Sequence, residues 1–423
     1  GSGFKPIGDS SNRFTGSFNG SGNTISNLTI NRSGRNVGLF GNVSSGGGIT
    51  KTHLRAVNVS GSGDVGGLVG TNKGEIYQSS STGNVTGDNA DVGGLVGVNT
   101  GKVNRSYAAG SISNSANNLG GLIGENDGGE VRLSYATGEV NLTEPEDGSN
   151  VGGLVGQSSG GEVTRSHATG NVSGSDRTGG LIGRSSGTSI NNSNATGNVN
   201  GPGNFVGGLV GLSQSNINGS YSAGTVQGDE YVGGLVGSMA ETQESLIILT
   251  SNASGTVNGS QYTGGLIGAN GLESFGPGPV SGGTIETSTA SGTVTVPEGA
   301  TGQQIGGLVG QNYQGTITSS NATGDVQAGD ATSVGGLVGY NDAETLSTIR
   351  ETYAAGAVDG GDNVGGLVGQ NRNDLVTDSY AVGTVNGSAS VGGLVGTNTG
   401  SNAKVNNSYA AGSVAGDSAG GLV

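Results

Sequence analysis

The stretch Val92 to Gly110 reads V-G-G-L-V-G-V-N-T-G-K-V-N-R-S-Y-A-A-G, and near-copies of it return along the whole chain. Its opening phrase V-G-G-L-V-G recurs mostly at intervals of roughly 26 to 32 residues, with one longer interval of about 42 between Leu266 and Leu308. A fixed period of this size is typical of stacked-repeat proteins, in which each unit contacts only its neighbours. The sequence therefore predicts an array of similar turns and not a globule around one site.

Each repeat contains three short extended segments, separated by turn-forming Gly, Asn, Ser and Asp. In the quoted repeat these segments are Gly94 to Val96, Lys102 to Ala108 and Ser111 to Ser113. No 3.6-residue periodicity is sustained, so helices are not expected. The predicted fold is all-β, a parallel β-solenoid (β-helix) of about 13 to 14 coils with roughly 28 residues per coil.

The leucine of the recurring phrase is the predicted core residue, because it is the large aliphatic side chain among glycines. Glycine contributes 93 of the 423 residues and aromatic residues only 4%, so the core must be narrow. Fixed glycines beside aliphatic residues indicate tight backbone corners and not flexibility. The predicted core leucines are Leu68, Leu95, Leu122, Leu154, Leu181, Leu209, Leu235, Leu266, Leu308, Leu337, Leu367 and Leu394.

A column of asparagines lies two residues after the last glycine of the phrase. Stacked Asn side chains hydrogen-bond to their counterparts one layer away and satisfy backbone that would otherwise be buried unpaired. Solvent-exposed turns are the alternative interpretation. The predicted asparagine ladder comprises Asn72, Asn99, Asn126, Asn312, Asn341, Asn371 and Asn398.

The tripeptide Ser-Tyr-Ala recurs later in the repeat, and strand alternation assigns its faces. The small Ser and Ala suit a narrow interior, and the Tyr then points outward, where its column varies freely. The replacement Tyr380→Ser should accordingly cost little stability. The candidate surface contacts are Tyr107, Tyr135, Tyr353, Tyr380 and Tyr409, together with Phe275 from an insertion.

The period also divides the chain. Residues 1–36 are predicted to be an N-terminal lead-in or capping segment, and residues 37–423 to be solenoid repeats that stop within the last repeat. Insertions near 142–150, 240–250 and 272–284 interrupt the pattern. Such insertions map to surface loops, which either carry binding or are simply tolerated. The two ends of the sequence suggest a portion of a longer chain.

Composition and charge exclude several classes. A net charge of −15 argues against nucleic acid or an anionic membrane as a partner. No cysteine is present, so neither disulfides nor Cys-based metal sites are expected. No run of 18 apolar residues exists, which argues against a transmembrane helix.

Catalytic, cofactor-binding and metal-binding residues are not predicted. The G-x-G-x-x-G match from Gly61 to Gly66 falls inside the repeat and lacks the strand and helix of a dinucleotide site. The acidic residues Glu144, Glu146 and Asp147 are interpreted as a solvated loop. Charged residues are 11% of the chain and scatter, so we expect no enzyme in this segment.

Asn-x-Ser/Thr sequons are frequent. In a secreted protein they are acceptors for N-linked glycan, although a chain so rich in Asn, Ser and Thr also produces them by chance. The candidate glycosylation sites are Asn84, Asn194, Asn252 and Asn321.

The pattern V-G-G-L-V-G, then N-x-G, a lone Ile or Val, S-Y-A-x-G and x-V-x-G, resembles the GLUG-motif repeat. The N-terminal segments Phe4 to Gly8 and Phe14 to Ile30 are similar to the lead-in that commonly precedes such arrays. The resemblance implies a β-solenoid on the outside of a prokaryotic cell, often beside adhesin or peptidase modules. It brings no catalytic residues.

The expected function is an extracellular structural or adhesive rod of a prokaryotic cell surface, without catalysis. Its partners would be cell-surface or glycan ligands, or further copies of itself. One alternative is a subunit of a self-assembling extracellular filament, joined through solenoid ends or terminal strands. A second is a scaffold attached to a carbohydrate-active or peptidase module.

Overall fold

The computed structural model describes residues 2–87, 91–115, 117–143, 149–240, 246–275, 278–343 and 348–423, with the backbone alone for 273–275 and 278–279. It forms two compact units. The first comprises Gly1–Gly201 with Leu209–Gly211, and the second comprises Pro202–Gly208 with Leu212–Val423. No helix occurs in the described ranges, and so none that would span a bilayer.

Within each unit, every strand except those of one hairpin pairs in parallel with the strand at the same position of the next turn. The predicted all-β parallel β-solenoid is confirmed, with about 13 turns of about 29 residues over the two units. Parallel register explains the sequence period, because side chains at equivalent positions of successive turns must fit the same surroundings.

Each turn contains five strands, which we label a to e, and not the three extended segments that the sequence predicted. In the turn quoted above they are Asp91–Gly93, Val96–Asn99, Lys102–Asn104, Tyr107–Ala108 and Ile112–Asn114. In the segment predicted from Gly94 to Val96, Gly94 and Leu95 instead form the corner between strands a and b, and Val96 begins strand b. The predicted long segment Lys102 to Ala108 also turns a corner, between strands c and d.

The strands at positions a and b are these. Position a comprises Val65–Gly66, Asp91–Gly93, Asn118–Gly120, Asn150–Gly152, Thr178–Gly179, Asn204–Gly207, Glu230–Gly233, Gln261–Gly264, Gln303–Gly306, Thr332–Gly335, Asp362–Gly365, Ala389–Gly392 and Ala419–Gly420. Position b comprises Phe40–Val43, Val69–Asn72, Val96–Asn99, Ile123–Asp127, Val155–Ser159, Ile182–Ser186, Val210–Gln214, Val236–Met239, Ile267–Asn270, Val309–Tyr313, Val338–Asp342, Val368–Arg372 and Val395–Thr399.

Positions c and d follow in each turn. Position c comprises Ser17–Asn19, Gly48–Thr50, Glu75–Tyr77, Lys102–Asn104, Glu130–Arg132, Glu162–Thr164, Ser189–Asn191, Ile217–Asn218, Ile247–Leu249, Thr284–Glu286, Thr316–Thr318, Thr348–Arg350, Leu375–Thr377 and Lys404–Asn406. Position d comprises Thr24–Ser26, Tyr107–Ala108, Tyr135–Ala136, His167–Ala168, Asn194–Ala195, Tyr221–Ser222, Asn252–Ala253, Thr289–Ala290, Asn321–Ala322, Tyr353–Ala354, Tyr380–Ala381 and Tyr409–Ala410.

Position e closes each turn. It comprises Thr29–Asn31, Ile112–Asn114, Val140–Leu142, Val172–Ser173, Val199–Asn200, Val226–Gln227, Val257–Asn258, Val294–Thr295, Val326–Gln327, Val358–Asp359, Val385–Asn386 and Val414–Ala415. Two early turns run d and e together as the single strands His53–Gly61 and Ser80–Gly87.

The core is a narrow aliphatic column in each unit. All twelve leucines named above are 0% exposed. Each turn adds further buried side chains, which in the quoted turn include Val92, Val96 and Val103. The leucine backbone continues the stack, since Leu95 N–H donates to the Leu122 carbonyl at 3.0 Å.

The glycines of the phrase V-G-G-L-V-G are needed because neighbouring segments approach their backbone too closely for a side chain, and not because they adopt left-handed backbone. A Cβ placed on Gly94 would lie 2.4 Å from the Gly121 carbonyl oxygen and 2.8 Å from the Ala108 Cβ. Left-handed backbone is instead adopted by other residues, for example Gln78 (φ 49°) and Arg105 (φ 52°), at the corner between strands c and d. Gly94 therefore marks a tight corner, as the sequence predicted, because a side chain would not fit there.

The N-terminal segment packs against the first full turn. Ser17–Asn19 pairs in parallel with Gly48–Thr50. The rings of Phe14 and Phe18 contact Phe40, with centroids 5.0 and 5.4 Å away, and Phe40 is fully buried. These contacts cover the edge of the aliphatic column. The division of the chain at residue 36 stays a prediction.

The three predicted insertions differ in how much of each the structure describes and in what the described part forms. Residues 144–148 and 241–245 lie outside the described residues, and Glu144, Glu146 and Asp147 fall among them. The second insertion is shorter than predicted, because Ile247–Leu249 forms a regular strand c with Ile248 buried.

The third insertion is an antiparallel hairpin of Leu272–Phe275 and Gly278–Val280. Leu272 packs with Leu212, Ala240 and Ala269 on the outside of the b strands. Part of the hairpin therefore covers an outer face, where the sequence predicted only a surface loop. The region 272–284 also ends in regular structure, because Thr284 begins a strand c.

The substitution Leu235→Asp tests the aliphatic column. It places an unpaired carboxylate among fully buried side chains, and we expect it to destabilise the second unit by more than about 4 kcal/mol. The matched control is Tyr221→Asp, which introduces the same group at an exposed position (44% exposed) and should cost less than about 0.5 kcal/mol. Denaturant unfolding followed by circular dichroism measures both. Equal stability of the two variants would contradict the placement of Leu235.

Candidate functional site

Strand b carries a buried asparagine at or just before its last residue in many turns, and these side chains bond along the stack. In the first unit, Asn72 Nδ2 donates to Asn99 Oδ1 at 2.8 Å, and Asn99 Nδ2 donates to Asn126 Oδ1 at 2.8 Å. The row then passes to a serine, because Asn126 Nδ2 donates to Ser158 Oγ at 3.2 Å. All four residues are 0% exposed, so a ligand in solvent cannot reach them.

The second unit contains a longer row. Asn270, Asn312, Asn341 and Asn371 each donate from Nδ2 to the next asparagine, at 2.7 to 2.8 Å, and the row ends at Asn398. The same amides also bond to the backbone just after strand b in their own turn, as Asn312 Nδ2 does with the Gly315 carbonyl at 2.8 Å. The ladder therefore satisfies buried polar groups, which is a structural role.

Sequence reasoning missed a second buried row, formed by the serine before strand d. Ser106 Oγ donates to the Asn104 carbonyl at 3.0 Å, and the Ser106 N–H donates to Ser134 Oγ at 3.2 Å. Ser220 and Ser251 repeat this second bond in the other unit. The signal was the recurrence of Ser in Ser-Tyr-Ala, which we interpreted only as a small interior residue.

The outward residues of strand d stack as aromatic ladders. In the first unit, Tyr107 and Tyr135 stack with centroids 4.9 Å apart and planes within 3°, and His167 continues the stack at 5.0 Å. In the second unit, Tyr380 stacks on both Tyr353 and Tyr409 at 5.2 Å. Flat ring faces are therefore largely occupied by neighbouring rings, and the ring edges meet solvent.

This stacking changes the expectation for the outward column. Tyr380 is half-buried between two rings, so Tyr380→Ser removes two aromatic contacts. At about 0.5–1.5 kcal/mol for each pair, the substitution costs measurable stability where the sequence predicted little. Tyr409 is 56% exposed, and the side chain of Phe275 lies outside the described residues. In the first unit, burial within the stack of Tyr107, Tyr135 and His167 raises the pKa of the Tyr135 hydroxyl and lowers the pKa of the His167 imidazole.

A further aromatic ladder was missed. Phe205, Tyr231 and Tyr262 stack at 4.9 and 4.6 Å, with planes within 11°. All three adopt left-handed backbone, at φ between 48° and 63°, just before the buried valine or threonine of strand a. Bulky residues seldom adopt this region of backbone space, so this ladder is not predicted from the sequence.

The candidate glycosylation sites lie on the outside. Asn84 and Asn252 are exposed, whereas Asn194 and Asn321 are half-buried on strand d. The Asn252 Oδ1 accepts a hydrogen bond from Thr289 Oγ1 at 2.7 Å. Modification of these residues stays a prediction.

A small group of carboxyls lies on the outer side of the first unit. Burial, followed by the nearby charge of Asp91, raises the pKa of Glu125 to about 7. Burial also raises the pKa of Asp91, which accepts a hydrogen bond from Asn118 Nδ2 at 2.7 Å. Among the described residues, no group of three or more His, Asp or Glu side chains could hold a metal ion.

The asparagine row predicts a graded cost of substitution. Asn312→Ala leaves the amide of Asn270 and the carbonyl oxygen of Asn341 without their partner, and should destabilise by about 1–3 kcal/mol. Asn398→Ala, at the less buried end of the row, should cost about 1 kcal/mol or less. Urea unfolding measures both variants. A larger cost at Asn398 than at Asn312 would contradict a continuous ladder.

The raised pKa of Glu125 predicts a pH dependence. Its pKa is about 7 in the fold and near 4.5 when unfolded, so the stability contribution of this group is lost as pH rises from about 4.5 through 7. Glu125→Gln copies Gln157, its neighbour in the next turn, and should raise Tm by about 2–4 °C at pH 8 but little at pH 4. Glu75→Gln, at an exposed position, is the control. A gain confined to low pH would reverse the sign and contradict this assignment.

Comparison with known proteins agrees with this architecture. Residues 115–141, 147–173, 174–200, 301–327 and 360–386 match the family described as the GLUG motif. Halomucin of Haloquadratum walsbyi (strain DSM 16790 / HBSQ001) is 46% identical over 93 residues, which are 21% of this chain and 1% of Halomucin. No solved structure matches the chain. The chain is thus a β-solenoid repeat protein that carries the GLUG motif.

Proposed function

We propose that this chain is an extracellular structural and adhesive module of a prokaryotic cell surface, which acts by repeated weak contacts and not by catalysis. The observation that carries the proposal is the outward aromatic ladder, which presents equivalent ring edges on successive turns of each unit. The GLUG repeats and the similarity to part of Halomucin support a place at the cell surface.

Parallel stacking supplies the mechanism. Equivalent side chains of adjacent turns lie about 4.8 Å apart, so a polymer with a short repeat meets the same contact several times. Each contact is weak, but linked contacts raise the effective concentration of the next one. Surface glycans are polymers of this kind, and they are the partner that we propose.

The buried rows support such a role. Because the Asn and Ser side chains bond from turn to turn, the turns that they join are held in register. The outer columns can then carry different residues without loss of the fold, as the step from Tyr135 to His167 within one ladder shows. A surface that tolerates variation over a constant interior suits recognition.

The test uses the whole 423-residue chain. We expect it to remain monomeric in light scattering over a wide concentration range, and to bind cells or immobilised surface glycans without releasing reducing sugar. Fibres that grow with concentration in electron micrographs would favour a filament subunit instead. Release of sugar that is lost on changing one acidic pair would favour a carbohydrate-active enzyme, and either result would overturn the proposal.

A further inference from the structure

Charge is divided unevenly between the two units. The first unit holds 13 of the 16 Lys and Arg residues and 14 of the 31 Asp and Glu residues. The second unit holds the other 3 basic and 17 acidic residues, and so carries most of the net charge of −15. The first unit is therefore nearly neutral overall, and its cations can form a local positive surface.

Three of those cations, Lys51, Arg105 and Arg165, lie at the same corner in different turns. The residue between strands c and d adopts left-handed backbone in most turns, and its identity changes between the units. In the first unit these residues are Lys51, Gln78, Arg105, Leu133, Arg165 and Asn192. In the second unit, the two corners beside Tyr353 and Tyr380 carry Glu351 and Asp378. The same aromatic column thus lies beside cations in one unit and beside carboxylates in the other.

The basic corner opens into a groove of about 320 Å³. The residues that line it are Gly22, Lys51, His53, Gln78, Arg105 and Tyr107. Lys51 and Arg105 are exposed, two turns apart, and therefore separated by about 10 Å along the stack. Among the described residues, neither forms an ion pair.

One wall of the groove is an aromatic ring with an open face. Tyr107 stacks on Tyr135 in the next turn, but its partner in the preceding turn is Ser80. Ser80 has no ring, and its Oγ lies 2.9 Å from Nδ1 of His53. The face of Tyr107 turned toward Ser80 is therefore not covered by a ring, unlike the two faces of Tyr135.

We propose that this groove binds an acidic sugar of a surface polysaccharide, and this inference rests on the adhesive function proposed above. The C–H face of the sugar ring packs on the open face of Tyr107. The carboxylate or sulfate group lies between Lys51 and Arg105, which donate charge-assisted hydrogen bonds to it. Uronates and sulfated sugars share this chemistry.

The geometry favours a glycan over a nucleic acid. Single-stranded nucleic acids stack successive bases on a series of aromatic faces along a continuous cationic track. Here the rings of Tyr135 and His167 already stack on their neighbours, and Leu133 interrupts the row of corner cations. A single open ring beside two cations fits one acidic sugar.

The test is a titration of the full chain with an oligouronate, a sulfated oligosaccharide and a neutral oligosaccharide of equal length. We expect the anionic probes to bind and the neutral one not to bind, with affinity falling as salt rises because the charges are exposed. A response to one anionic probe alone identifies the sugar as uronate or sulfated. Arg105→Glu copies Glu351 and should weaken binding at least about 10-fold, as should Lys51→Glu.

Tyr107→Ser copies Ser80 and should weaken binding by a similar factor. The matched control is in the second unit, where the corresponding corner carries Glu351. Glu351→Gln should leave the affinity unchanged. Thermal unfolding of every variant separates loss of the site from loss of the fold.

Four results would overturn the inference. These are unchanged affinity in Arg105→Glu, equal binding of the neutral probe, tighter binding of single-stranded DNA, or no binding of any anionic probe. If the chain binds cells but none of the anionic probes, the groove proposal is wrong and the adhesive function still stands. If the chain binds the anionic probes but not cells, the adhesive function is wrong and binding in the groove still stands.

Discussion

The register of each turn on the next is the constraint on which the structure depends. The Leu95 N–H donates to the Leu122 carbonyl at 3.0 Å in the first unit, and Leu235 does the same with Leu266 at 2.8 Å in the second. A slip of one residue would turn every inward side chain outward. Glycine must therefore recur where backbones approach, and small or aliphatic residues must recur where side chains point inward.

Much of the fold can be predicted from the sequence, because turns that stack in register need the same residue types at a fixed interval along the chain. The recurring phrase identifies the class, the parallel stack and the buried leucines such as Leu235. The number of strands does not follow, since the corner at Gly94 is decided by contacts with Gly121 and Ala108 in neighbouring segments. Periodicity reports which residues are equivalent, but not where the backbone bends.

The candidate sites, too, could be predicted only in part from the sequence. Alternation gave the outward direction of Tyr107 and Tyr135, whereas their stacking depends on the separation of adjacent turns, which no single repeat reveals. Composition gave the net charge, whereas the basic groove arises because Lys51 and Arg105 share one corner two turns apart. Such contacts between turns become apparent only when the repeats are stacked on one another in three dimensions.

The inward-facing and outward-facing columns of side chains have different roles. The Asn and Ser rows are bonded from layer to layer and closed to solvent, so they hold the register and offer nothing to a ligand. The outer columns accept residues of different type at the same position. The corner that carries Arg105 in one unit carries Glu351 in the other, on similar backbone (φ 52° and 55°). Recognition can therefore change through the outer columns while the turns keep their packing.

Disulfide trapping tests the shared register most directly, because the chain has no cysteine of its own. Tyr353 and Tyr380 are register partners on adjacent strands, within the Cα separation that a disulfide spans. Cysteines at these two positions should cross-link rapidly under mild oxidation, whereas cysteines at Tyr353 and Tyr409, two layers apart, should not. Efficient cross-linking of the second pair with failure of the first would contradict the in-register stack.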